Sequence, residues 1–202
     1  LRIGLGLPGV PSAAGVVKIC LGRLEAVSVI STTLALPMSG ATTVARRLVD
    51  AWGDARSDAA SKQIGLDRAF PSSQSLRDAP LETIGLPRTR AATLRALSAA
   101  VVEGRLSFEG GQRLEAFVER AVALPGIGAW TAQYIAMRAL ALPDAFPAGD
   151  LVLQQRLGPD AGVARLSERA TEARSQAWRP WRAYAVLHLW HLPASQAQAD
   201  AA

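Results

Sequence analysis

Strict apolar/polar alternation is nearly absent from this chain, whereas Ala, Leu and Arg recur at helical spacing, so the pattern predicts an almost all-α protein. A helix is expected over 42–52, ended by Gly53, and a short one over 72–78 after Pro71. Over 89–103 the residues Ala92, Leu94, Ala96, Leu97, Ala100 and Val101 fall largely on one side, and Gly104 closes the helix. A further amphipathic helix, 112–123, runs directly into Leu124-Pro125-Gly126-Ile127-Gly128, and another, 129–140, leaves that tight turn. After the loop 143–149, Asp150 stands in N-cap position for a helix over 151–157. The last helix is expected over 181–191, before a polar, Ala- and Gln-rich tail (193–202) with no packing pattern, expected to be disordered. Residues 1–39 resist this reading, because Gly4, Gly6, Gly9, Gly15, Gly22, Pro8 and Pro11 interrupt any period. No repeat of solenoid length is visible.

Composition narrows the class. With 202 residues, half of them hydrophobic, the chain can bury a sizeable core as one large domain or two small lobes. The formal net charge is +5, and among 22 basic residues only Lys18 and Lys62 are lysine. Arginine's planar fork suits phosphate, which makes nucleic acid a reasonable partner, although a GC-rich genome that writes Arg for Lys would leave the same mark. Cys20 is the single cysteine, which excludes an internal disulfide and a four-cysteine zinc or iron–sulfur site within this chain. That usage fits a cytoplasmic, nucleoid-associated protein. The longest weakly polar run, 26–37, contains Ser28, Ser31, Thr32 and Thr33 and is shorter than the roughly 20 residues of a membrane span, so no membrane association is expected. No signal peptide opens the chain, and Leu1 in place of methionine leaves room for a preceding domain.

The turn 124–128 carries the first chemical signal. Its glycines permit close approach, and the helix that follows begins with unpaired N–H groups and a partial positive charge, a seat for a DNA phosphate that needs no base contact. An ordinary corner between packed helices has the same sequence features, so the turn alone leaves both readings open.

The segments LPGIGAWTAQYIAM (124–137) and DAFPAGDLVLQQR (144–156) resemble the helix-hairpin-helix DNA glycosylase superfamily, in particular its DNA-3-methyladenine glycosylase II branch. LPRTRAATLR (86–95) and WRPWRAYAVLHLW (178–190) extend the likeness, which covers about 41–192. The resemblance implies a two-lobed helical fold with its cleft between the lobes, preceded by an irregular, reduced segment over 1–40. It implies duplex DNA with damaged bases as the partner, a monomer, and contacts from Leu124, Gly126, Ile127 and Gly128. Main-chain carbonyls of Val122, Leu124 and Ile127 would hold a monovalent cation, and no organic cofactor is implied.

By the same resemblance Asp150 matches the catalytic aspartate. Breaking an N-glycosidic bond builds positive charge on the sugar, which a fixed carboxylate stabilises. A plain N-cap role is compatible with this one. Arg156, six residues on, matches a family arginine able to reach a phosphate or pair with an acid. Asp144, before Ala145-Phe146-Pro147, reads as an exposed loop acid. An extruded base needs stacking walls, for which Trp130, Tyr134 and Trp190 are the candidates; Trp130 and Tyr134 are four apart and share a helix face. Electron-rich rings favour an alkylated, positively charged purine. Trp178 and Trp181 are expected to pack between helices.

Trp130 occupies the position at which the strand-cutting relatives carry a Schiff-base lysine, so lyase chemistry is not expected. The family's Leu-Gly-Gln motif and wedge correspond to Leu21-Gly22-Arg23-Leu24-Glu25, where Arg23 replaces the amide and Leu24 is the candidate wedge into the duplex. His188 and His191, three apart, lack accompanying ligands for a metal site. Two functions remain: a monofunctional glycosylase that excises alkylated bases such as 3-methyladenine by hydrolysis, in base excision repair, and an inactive helix-hairpin-helix module that only binds duplex DNA.

Overall fold

A computed structural model describes residues 38–55 and 68–192. The expectations for 1–37, the wedge candidate Leu24 among them, and for the tail 193–202 lie outside the described residues. Among the described residues the structure is helical, with one isolated antiparallel bridge between Ala55 and Arg68. The helices are α1 (Met38–Trp52), α2 (Ser73–Arg77), α3 (Arg88–Val102), α4 (Leu114–Val122), α5 (Ala129–Arg138), α6 (Leu151–Leu157), α7 (Glu168–Ser175) and α8 (Arg182–His191). Short 3₁₀ turns lie at Leu81–Ile84, Pro159–Ala161 and Gln176–Trp178.

Two apolar clusters share α3. Val44, Ala45 and Leu48 of α1 meet Phe70, Leu76, Leu81 and Leu86, and α3 adds Ala91 and Leu94. One turn further on, Leu97 and Ala100 of the same helix join the larger cluster, with Phe117, Ile135, Phe146, Leu153 and Val186. The stripe that makes this possible is visible in α4, where Leu114, Phe117, Val118 and Ala121 follow the i, i+3, i+4, i+7 rule and Phe117 is fully buried. Each such large side chain contributes about 1.5–3 kcal/mol on leaving water.

The helices expected from the sequence are present with ends moved by a few residues, and the expected 151–157 matches α6. Helix α7 is not foreshadowed by any apolar stripe. Its buried side chains are Thr171 and Ser175, whose hydroxyls donate back to the Ser167 and Glu172 carbonyls, while Ser167 caps its start. Trp178 packs edge-on against Phe146 at 6.2 Å, as its sequence context suggests. Trp181 does not pack between helices as expected: it is 58% exposed and meets, edge to face at 5.7 Å, the similarly exposed Tyr184 in the first turn of α8.

Candidate active site

The turn between α4 and α5 turns its side chains inward and its backbone outward. Leu124 and Ile127 are buried in the larger core, whereas Pro125, Gly126 and Gly128 are exposed. The residues expected to meet DNA at 124 and 127 therefore offer main-chain atoms, their side chains being plugs that fix the turn. Gly126 has φ +81° and lies against α3 so closely that a Cβ there would be 2.1 Å from Thr93 Oγ1. Only glycine meets both demands. Gly128 is extended at the N-cap of α5 with no side-chain cap, leaving the first N–H groups of that helix without intrahelical partners. The Leu124 carbonyl accepts the Ile127 N–H at 3.2 Å and keeps a second lone pair. Among the described backbone bonds that lie outside the helices, none ends on the carbonyls of Val122 or Ile127, so this donor set suits a cation that takes oxygen ligands.

The start of α5 carries Trp130, with Tyr134 one turn along, and the two rings stack at 5.3 Å and 24°. Tyr134 in turn lies 5.9 Å from Trp190 of α8. Asp150 ends the loop between α5 and α6 as the N-cap of α6, its Oδ1 accepting the Leu153 N–H at 3.0 Å. Two further donors converge on the same carboxylate: Trp130 Nε1 on Oδ2 at 3.0 Å and Trp190 Nε1 on Oδ1 at 3.1 Å. The structure thus brings the sequence-expected acid and the three sequence-expected aromatics into one partly exposed cluster, directly beyond the turn.

Known proteins resemble this chain in sequence and in fold. Over 153 residues the chain is 39% identical to the probable bifunctional transcriptional activator/DNA repair enzyme AlkA of Mycobacterium tuberculosis (strain CDC 1551 / Oshkosh), a match covering 74% of this chain and 29% of that protein. It is 32% identical over 196 residues to DNA-3-methyladenine glycosylase 2 of Escherichia coli K12, covering 94% of this chain and 61% of that one. The chain therefore spans less than two thirds of these relatives. No protein-family model matches. Among solved structures, a DNA-3-methyladenine glycosidase from Bacillus halodurans superposes with TM-score 0.66 at 23% identity, over 86% of this chain and 77% of that chain. A Schizosaccharomyces pombe 3-methyladenine DNA glycosylase in complex with abasic DNA gives 0.63 at 19% identity, over 82% and 79%.

The chain belongs to the helix-hairpin-helix DNA glycosylase superfamily, in its DNA-3-methyladenine glycosylase II branch.

What holds this candidate site in place was only partly readable in the sequence. Asp144 is not an exposed loop acid: its side chain is 18% exposed and accepts from Arg182 Nε at 2.7 Å and Nη2 at 3.0 Å, with Arg179 Nη1 at 3.1 Å. Arg182 is itself buried, gives Nη1 to Glu172 at 2.8 Å and lies 5.8 Å over the Phe146 ring. The loop is tied down at other points as well. Gln133 Oε1 accepts the Phe146 N–H, Gln154 Nε2 donates to the Ala148 carbonyl, and the Ala183 N–H donates to the Pro143 carbonyl. Gln133 and Gln154 give no sequence signal, since a lone Gln on a helix is ordinary surface. An acid before a buried Phe-Pro pair and an arginine in the apolar stripe of 178–190 were the available clues for Asp144 and Arg182.

Arg156 lies two helical turns from Asp150, half-buried, and its Nη2 donates to the Leu192 carbonyl at 2.7 Å, closing the end of α8. His188 and His191 are exposed, and among the described residues no cluster of His, Cys, Asp and Glu could hold a metal ion. No described helix is long and apolar enough to cross a membrane.

Proposed function

We propose that this protein is a monofunctional DNA glycosylase that removes alkylated bases, such as 3-methyladenine, from duplex DNA in base excision repair. The observation that carries the reading is the Asp150 carboxylate, fixed between the indole edges of Trp130 and Trp190 directly beyond a backbone-lined helix-hairpin-helix turn.

The α4–α5 turn grips a phosphate with N–H groups, and a monovalent cation on the carbonyls of Val122, Leu124 and Ile127 would add positive charge there. Grip of this kind ignores sequence, as a repair enzyme requires. The lesion is turned out of the stack and held among Trp130, Tyr134 and Trp190. A cationic alkylated purine is attracted to such rings more than a neutral base, and its glycosidic bond is already weak. The C1′–N bond breaks with its electron pair leaving on the base, which departs neutral. Asp150 stabilises the sugar cation. The oxygen of a water molecule then bonds to C1′ and sheds one proton, and the products are the free base and an abasic site. No leaving-group acid is needed.

A Schiff-base route has no lysine nucleophile among the described residues. Trp130 cannot attack the sugar, and the chain's two lysines, Lys18 and Lys62, both lie outside the described residues. The protein acts as a monomer on nucleoid DNA in the cytoplasm.

The test is to incubate the protein with methylated duplex DNA and measure released bases and abasic sites. Release of methylated purines with an intact strand supports the reading. DNA binding without release would identify an inactive binding module, and a strand trapped by borohydride would identify a lyase.

A further inference from the structure

A carboxylate at an N-cap is fixed at one oxygen only. The Leu153 N–H holds Oδ1, but the terminal torsion of aspartate is soft and broad, so the plane of the group remains free to turn. Here a second restraint acts on Oδ2 through Trp130 Nε1, and a third on Oδ1 through Trp190 Nε1. The two indoles come from separate helices, α5 and α8, and grip different oxygens. Together they set the plane of the carboxylate.

The chemical kind of these donors matters as much as their number. All three are neutral N–H groups, indole nitrogen being a donor that does not titrate. None of the ion pairs among the described residues includes Asp150, although those residues are rich in arginine. A guanidinium at the same distance would orient the carboxylate equally well, yet it would cancel much of the field felt by a sugar cation a few ångströms away. Neutral donors orient the group and leave its formal charge uncancelled.

We infer that Trp130 and Trp190 are positioning residues for Asp150: their N–H edges fix the plane of its carboxylate, a role separate from any contact their ring faces make with a base. The inference rests on the reading that Asp150 faces the reacting sugar. Edge and face of an indole lie at right angles, so one ring serves both purposes without conflict. This explains why tryptophan, and not phenylalanine or tyrosine, stands at 130 and 190 while Tyr134, which stacks between them, is not bonded to Asp150.

The deciding experiment separates edge from face. Benzothienylalanine, which carries sulfur in place of the indole N–H, is installed at 130 or at 190, and Trp130→Phe and Trp190→Phe are made as encodable counterparts. For each protein, the single-turnover rate of methylpurine release and the affinity for an abasic-site duplex are measured. Loss of one such bond lowers the rate about tenfold per position, with affinity unchanged within about twofold because the aromatic face is kept. A rate equal to that of the unaltered protein, or a loss confined to affinity, overturns the inference. Should the unaltered protein release no base from any methylated duplex, the proposed function fails on its own. The inference is then decided by the nitrogen-15 resonances of the tryptophan side chains. Trp130 and Trp190 N–H signals that move on Asp150→Ala support the clamp, and signals that stay in place refute it.

Discussion

Asp144 and Arg182 are joined by two parallel bonds of 2.7 and 3.0 Å across 38 residues of sequence. The pair ties the loop that ends at Asp150 to the helix that carries Trp190. Arg182 is almost wholly buried, so removing Asp144 takes away the acceptor of its Nε and Nη2 and leaves Glu172, on Nη1, to offset a charge in the interior. Asp144→Ala is expected to cost about 3 kcal/mol in urea unfolding. Combining it with Arg182→Met removes the under-compensated buried charge and is expected to recover at least about 1 kcal/mol of that loss. A double variant that simply adds the two single losses would show that the pair is not coupled.

The hairpin gives a second, independent test. Gly126→Ala places a Cβ at 2.1 Å from Thr93 Oγ1 on a backbone with φ +81°. The angle alone costs about 1–2 kcal/mol for a side chain, and the collision adds to it. Duplex affinity is expected to fall more than global stability does, because the turn moves away from α3. Thr93→Ala removes the colliding atom but not the strained angle, so it is expected to restore part of the Gly126→Ala defect. Full restoration would mean that the backbone angle is not strained.

An ion pair on the surface beside the smaller core supplies a pH dependence. The bidentate bond from Arg95, at 2.6 and 2.9 Å, pulls the Glu82 carboxyl down from 4.5 to about 2. A depressed carboxyl contributes stability that is present above pH 4.5 and disappears as pH falls toward 2. The pair is exposed, so the effect is small and weakened by salt. The difference in Tm between the unaltered protein and Glu82→Gln is expected to shrink steadily from pH 5 down to pH 2, as measured by thermal circular dichroism. A difference that grows in that range would reverse the assigned sign.

Backbone grip on phosphates releases counterions. Affinity for undamaged duplex DNA, followed by fluorescence anisotropy, is expected to fall steeply and linearly on a log–log plot against salt. A flat response would remove phosphate contact as the basis of binding.

The sequence announced what depends on periodicity and local chemistry. Helix α6 and its Asp150 cap were readable because capping needs only neighbours in sequence, and the Trp130–Tyr134 stack follows from their four-residue spacing. The burial of Leu124 and Ile127, against the outward backbone of Pro125–Gly128, could not be separated from sequence alone, since a turn does not state which side faces the core. Asp144 was misread because its partner lies 38 residues away. Helix α7 escaped for a different reason. Its buried face consists of hydroxyls that satisfy themselves on their own helix, and such a face leaves no apolar trace.

The central claim is that Asp150 stabilises a sugar cation during base release. It is tested most directly by the single-turnover rate of methylpurine release from methylated duplex DNA by Asp150→Asn, which keeps an N-cap oxygen and removes the charge. The account predicts a loss of at least about 100-fold with duplex affinity retained. Release by Asp150→Asn at the rate of the unaltered protein would contradict it.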